Sequence, residues 1–283
     1  GIPNDFPVRV VREDPLKQGL LFAGTEFGIF VSQNDGISWL KFQKNLPITP
    51  VTDLKIHRDD LVLSTMGRSF WVMDDINFLR SDLNGSKPKV INPSEAIRYQ
   101  YNIPDIEIND YLQVGVFIDY YLDSDQYQNV LISILNEKGE TIDSFNSISS
   151  EAKESNDYNM QLSDYSSDVT YKVTTKKGFN RFRWNLRHKG IYDDDDEKNI
   201  VGPFVKPGVY VVEVTLDNVN KISTEFSVEK DPNTEISQDV FVEVEQFQLK
   251  LINKIREATR ISNEIKSLKL SKNLKKNKLQ GLN

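Results

Sequence analysis

The sequence predicts a mainly β chain that ends in one long amphipathic helix. The β part reads as the last blades of a β-propeller followed by an antiparallel β-sandwich. Three observations carry this. Close-spaced apolar runs of strand length, cut by turn signals, fill residues 7–80. A second set of strand-like runs, with no helical period between them, fills most of residues 111–232. From about Ile236 the apolar period lengthens to that of a helix.

In the first region the expected strands are Val8–Val11, Leu20–Gly24, Gly28–Ser32, Trp39–Phe42, Thr52–His57, Leu61–Thr65 and Phe70–Asp74. Turns are marked by Asp14-Pro15, Asp35-Gly36, Asp59-Asp60 and Gly67-Arg68. Two units follow one another, VRVVREDP…LLFAGTEFGIFVSQNDGISWLKF and VTDLKIHRDDLVLSTMGRSFWVMDD. Both run strand, turn, strand, glycine-bearing turn and aromatic strand, and such repeats of about 40 residues are a propeller signature. Two blades close no ring, and the first residue is Gly1 rather than Met. The chain is therefore expected to be a piece of a longer protein.

SQNDGISW, Ser32 to Trp39, is more than a minimal turn. Asp35-Gly36 alone would close a hairpin. Ser32, Asn34 and Ser38 add side-chain oxygens that can bond nearby backbone, and Trp39 adds a large apolar plug.

Residues 81–110 read as a linker or crossing segment that opens on NGSKP. Beyond it the expected strands are Val114–Leu122, Val130–Asn136, Thr141–Phe145, Gly178–Leu186, Gly208–Leu216 and Ile222–Val228. The Ser- and Asp-rich stretch from Ser147 to Asp168 is too polar for a core and reads as an insertion. Trp184 in RFRWNLR is expected in the core, with Arg181, Arg183 and Arg187 outward.

Residues 233–283 complete the chain as a helix of roughly 30 residues and a basic tail. Val244, Leu251, Ala258 and Ile265 recur seven apart, beside a row of Phe247, Ile261 and Leu268. The N-terminal half, Phe241 to Ile252, is expected to dock on the sandwich. Ile255, Ala258, Ile261, Ile265 and Leu268 are the candidate partner interface. After Glu264 there are six lysines and no acid, which complements the helix dipole.

Composition excludes several functions. With 35 basic against 42 acidic residues the net charge is −7, a poor match for nucleic acid. No cysteine is present, so disulfides and thiolate chemistry are absent. No apolar run approaches the roughly 20 residues of a membrane span. The two histidines, His57 and His188, lie far apart without ligand-like spacing, so no metal site or other cofactor is expected from them. The acidic run Asp193–Glu197 is the one place where Ca²⁺ is considered, but it lacks the spaced calcium-loop pattern. Glycoside hydrolysis usually needs two carboxylates on either side of one bond. Glu26, Asp59-Asp60 and Asp74-Asp75 are available, yet neighbours on a strand point to opposite faces. Arg68 and Arg80 alone make no sialidase-type arginine cluster, so structural roles are expected for these charges and no catalytic residue is assigned.

With those pieces in place, SQNDGISW resembles the Asp-box, or bacterial neuraminidase repeat, with Asn34 and Ser38 as mild departures. Its structural residues would be Ser32, Asn34, Gly36, Ser38 and Trp39. Together with LLFAGTEFGIFVS, MGRSFWVMDD, GFNRFRWNLR and KPGVYVVEVTL, it makes the chain similar to the C-terminal part of Bacteroidetes-type sortilin-like propeller proteins. Those proteins are often labelled glycosyl hydrolases. Met66 and Ser69 depart from the family pattern, which often has His and Gly there. The resemblance implies an immunoglobulin-like sandwich after the propeller. It also implies export to the periplasm or surface of a Gram-negative cell and protein partners, including an outer-membrane complex. The function it implies is a non-catalytic scaffold or binding subunit. The alternative is a sialidase- or xyloglucanase-like hydrolase, acting on glycans through carboxylates upstream of this sequence.

Overall fold

The structure, a computed structural model, describes residues 1–81, 87–99, 115–148, 173–191 and 200–280. Within α2 it describes side chains to Lys266, and that of Leu268. The acidic run Asp193–Glu197 and almost all of the Ser147–Asp168 stretch lie outside the described residues.

The chain is mainly β, and among the described residues its sheets are antiparallel but for one strand pair. β1 (Val8–Glu13), β2 (Leu21–Thr25), β3 (Gly28–Ser32) and β4 (Leu40–Lys41) pair in that order. β5 (Val51–His57), β6 (Asp60–Thr65) and β7 (Phe70–Met73) form a second sheet, and the one-turn α1 (Asn77–Arg80) follows. Every residue of β3 is buried, the mark of a strand covered on both faces. One core joins the two sheets, with Phe22, Ile29 and Val31 against Val51, Leu54, Leu61 and Leu63, closed by Ile76, Phe78 and Leu79.

The second half holds β8 (Lys89–Val90), β9 (Ala96–Arg98), β10 (Val116–Leu122), β11 (Val130–Leu135) and β12 (Thr141–Asn146). β13 (Gly178–Trp184), β14 (Gly208–Leu216), β15 (Asn220–Lys230) and α2 (Gln238–Gln280) complete it. The sheets are β13-β10-β8 and β12-β11-β14-β15-β9, with β9 parallel to β15. Both sheets feed one core, in which Ile118, Tyr120 and Leu122 of β10 and Phe182 and Trp184 of β13 meet Ile132, Val212, Val214 and Phe226.

Several expectations change. The crossing segment contributes β8 and β9 as edge strands, each too short to leave a periodic signal. β13 stops at Trp184 because Leu186 takes a left-handed φ of 58°, which ends the ladder. Arg181 does not point outward: it is half-buried in the joint between the two halves. α2 runs for 43 residues rather than about 30.

Candidate functional site

The charged residues near the β-turns hold the fold together. Arg80, at the end of α1, donates from Nε to both carboxylate oxygens of Asp14, at 3.3 Å (Oδ1) and 3.1 Å (Oδ2), and from Nη2 to Oδ2 at 2.9 Å. Its Nη1 donates to Asp59. Asp14 follows β1 and Asp59 sits in the β5–β6 turn, so one guanidinium ties both small sheets together. The Asp14 side chain has no exposed surface, and its Oδ1 also accepts the N–H groups of Leu16 and Lys17. Glu26 is likewise engaged, paired with Arg9.

Asp74 and Asp75 lie beyond the end of β7 rather than on it, and Asp75 has a left-handed φ of 51°. Arg181 binds this corner from the other half. It donates to the carbonyls of Asp74 (3.0 Å) and Asp75 (2.6 Å) while forking onto Asp119 at 2.7 Å twice. The guanidinium also lies over the rings of Phe117 and Phe78, 4.4 and 5.1 Å from their centres. Burial pushes the Asp75 carboxyl above its ordinary range, although the Asn77 N–H bond and Arg181 oppose the shift. The joint is further held by Asn77 on the Asn92 carbonyl and Thr224 on the Asn92 side chain.

SQNDGISW forms a self-bonded corner. Asp35 and Gly36 both take left-handed φ, 56° and 79°. The buried Ser32 hydroxyl accepts from Gly36 N at 2.9 Å, and Asn34 Oδ1 accepts from Ser38 N at 2.9 Å. Trp39 is half-buried beside Gly36 rather than fully buried, because only the two-residue β4 follows it as cover. Ile37 is 85% exposed. Trp39→Ala should therefore cost less than the ~3–5 kcal/mol of a core Trp, and Ile37→Ala almost nothing. Urea unfolding of the two variants checks this; equal effects would refute the packing.

α2 meets the large sheets through a buried polar clamp that sequence reading did not find. His188 Nε2 lies 2.9 Å from Glu245 Oε1, which also accepts the Lys206 N–H at 3.0 Å. Burial alone would raise the Glu245 carboxyl, but these bonds outweigh it and hold it below its ordinary value. Phe241, one turn earlier, lies under the Arg98 guanidinium at 4.8 Å, and Ile252 is buried further along. His188 and Glu245 are 57 residues apart, so no local pattern links them.

Close to this clamp Asp143 is pushed up to about 6 by burial, against the Ser144 N–H, Lys189 and His188, which all favour its charge. The folded chain thus binds more protons than the unfolded one between pH about 4 and 6, and stability falls as pH rises through that window. Asp143→Asn should remove that slope and raise stability at neutral pH by about 1–2 kcal/mol. Melting temperatures from pH 4 to 8 check it, and an unchanged slope would refute it.

Docking leaves the predicted stripe outside. Phe241, Glu245 and Ile252 face the sheets, whereas Val244, Phe247 and Leu251 are exposed. Among the candidate interface residues Ile261, Ile265 and Leu268 are exposed and so is Ala258, while Ile255 is half-buried. The docking half of the expectation thus falls on a different row of the helix. Among the described residues no helix is long and apolar enough to cross a membrane.

No protein-family model matches this chain, and no curated protein matches it. Among solved structures it is similar to an extracellular domain of a B. thetaiotaomicron protein, at 9% identity and a TM-score of 0.22. That match covers 83% of this chain and 26% of the other, so the chain spans about a quarter of that protein's length.

Proposed function

We propose that the chain is a non-catalytic protein-binding module, a scaffold portion of an exported cell-envelope protein of the sortilin-like propeller type. In this reading β1–β4 and β5–β7 are successive blades, and Ser32–Trp39 is an Asp-box corner. β8–β15 form an immunoglobulin-like sandwich that carries α2. The observation that supports binding best is the exposed apolar row Val244, Phe247, Leu251, Ile261, Ile265 and Leu268 on a helix already docked by another face. Soluble proteins avoid leaving such a strip in water. The competing hydrolase reading places its catalytic carboxylates upstream of this sequence and takes no pair from Glu26, Asp59 or Asp74. Glu26 and Asp59 are committed to Arg9 and Arg80.

Capture from the native membrane fraction tests the reading. Ile261→Asp with Ile265→Asp should abolish capture of the partner and leave the melting temperature in place. Unfolding of the variant, with capture lost only in proportion, would overturn it. So would turnover of aryl sialosides or xyloglucan fragments that is lost on Glu26→Gln.

A further inference from the structure

The exposed row has a stricter order than amphipathicity requires. Val240, Val244, Phe247, Leu251, Lys254, Ala258, Ile261, Ile265 and Leu268 follow steps of four and three throughout. That is the 3.5-residue repeat of a coiled-coil seam, held for four heptads. Phe247 is 67% and Leu268 62% exposed. The docked residues Phe241, Glu245 and Ile252 lie roughly a third of a turn round the helix from the centre of this seam, so the sheets leave it open.

We propose that this seam pairs antiparallel with the α2 of a second copy of the chain, an inference that rests on reading the row as an interface. Three core positions decide the orientation: bulky Phe247, small Ala258 and charged Lys254. A parallel pair would set Lys254 against its own copy, stack Phe247 on Phe247 and leave an Ala258–Ala258 void. With Val244 opposite Ile261 in an antiparallel pair, Phe247 instead fills the space over Ala258. Lys254 then meets Leu251, and Val240 meets Ile265. Each pairing occurs twice, as a two-fold interface requires.

Flanking charges agree with this register. Lys250 falls opposite Glu257, which already holds Lys254 of its own helix at 3.0 Å, on both sides of the axis, an attractive contact. Glu243 falls opposite Glu264, whose charge is already met by Arg260 at 2.6 Å on its own helix. The overlap from Val240 to Ile265 is about 39 Å long at 1.5 Å per residue.

The chain contains no cysteine, so single cysteines report the orientation cleanly. Sedimentation of the full chain should show a dimer, weakened at least about a hundredfold by Phe247→Asp with the fold retained by circular dichroism. A short bismaleimide should link Lys250→Cys to Glu257→Cys in a mixture, and should not link Val244→Cys to itself, since the two copies of that position lie about 25 Å apart along the antiparallel pair. A chain that stays monomeric at hundreds of micromolar, or a Val244→Cys self-link, overturns the proposal. A Phe247→Asp chain that still dimerises overturns it too. A monomer that still captures a different protein through Ile261 and Ile265 removes the second copy and leaves the binding function standing.

Discussion

Replacing Arg80 with alanine should destabilise the chain by about 3–5 kcal/mol, the cost of breaking a buried ion pair from one side. The Asp14 side chain is wholly buried and accepts three guanidinium bonds, from Nε and Nη2. Without Arg80 its charge keeps only the backbone N–H groups of Leu16 and Lys17. Asp59 loses its partner as well, so both small sheets lose their common tie. Arg80→Lys should recover only part of the loss, because an ammonium cannot fork onto one carboxylate and reach a second. Chemical denaturation measures both. A loss below about 1 kcal/mol for Arg80→Ala would mean the pair is merely a surface contact.

Trp184→Ala should cost a similar amount, about 3–5 kcal/mol, in the other half. The indole is fully buried and lies 5.9 and 6.1 Å from the rings of Tyr210 and Phe226. Its Nε1 donates to the Arg187 carbonyl at 3.0 Å, fixing the left-handed bend at Leu186. Truncation opens a cavity between the sheets and removes the indole N–H that this carbonyl accepts. Trp184→Phe should restore the packing better than the hydrogen bond. A Trp184→Ala chain with a native unfolding midpoint would contradict the core.

The strands were legible because their apolar alternation is local: β5, β6, β10 and β14 fall within a residue or two of the runs that predict them. The self-bonded corner was legible for the same reason, since Ser32, Asn34 and Ser38 reach only four residues. What stayed hidden depends on distance along the chain. Arg80 finds Asp14 across 66 residues, and Arg181 reaches the Asp74–Asp75 corner from more than 100 residues away. The docking face of α2 was hidden because the seven-residue period marks the apolar row and says nothing of what covers it. The covered face uses a carboxylate, Glu245, where a periodic reading looks for an apolar residue.

The division of labour between sheets that hold the fold and a helix row that binds is tested most directly by amide hydrogen exchange along α2, free and in complex. In the free chain, amides from Ile255 to Leu268 should exchange faster than those from Phe241 to Ile252, which lie over the His188–Glu245 clamp. On association the first segment should gain protection while β10 and β14 stay unchanged. Equal and high protection along the whole of α2 in the free chain, unaltered by any partner, would contradict the account.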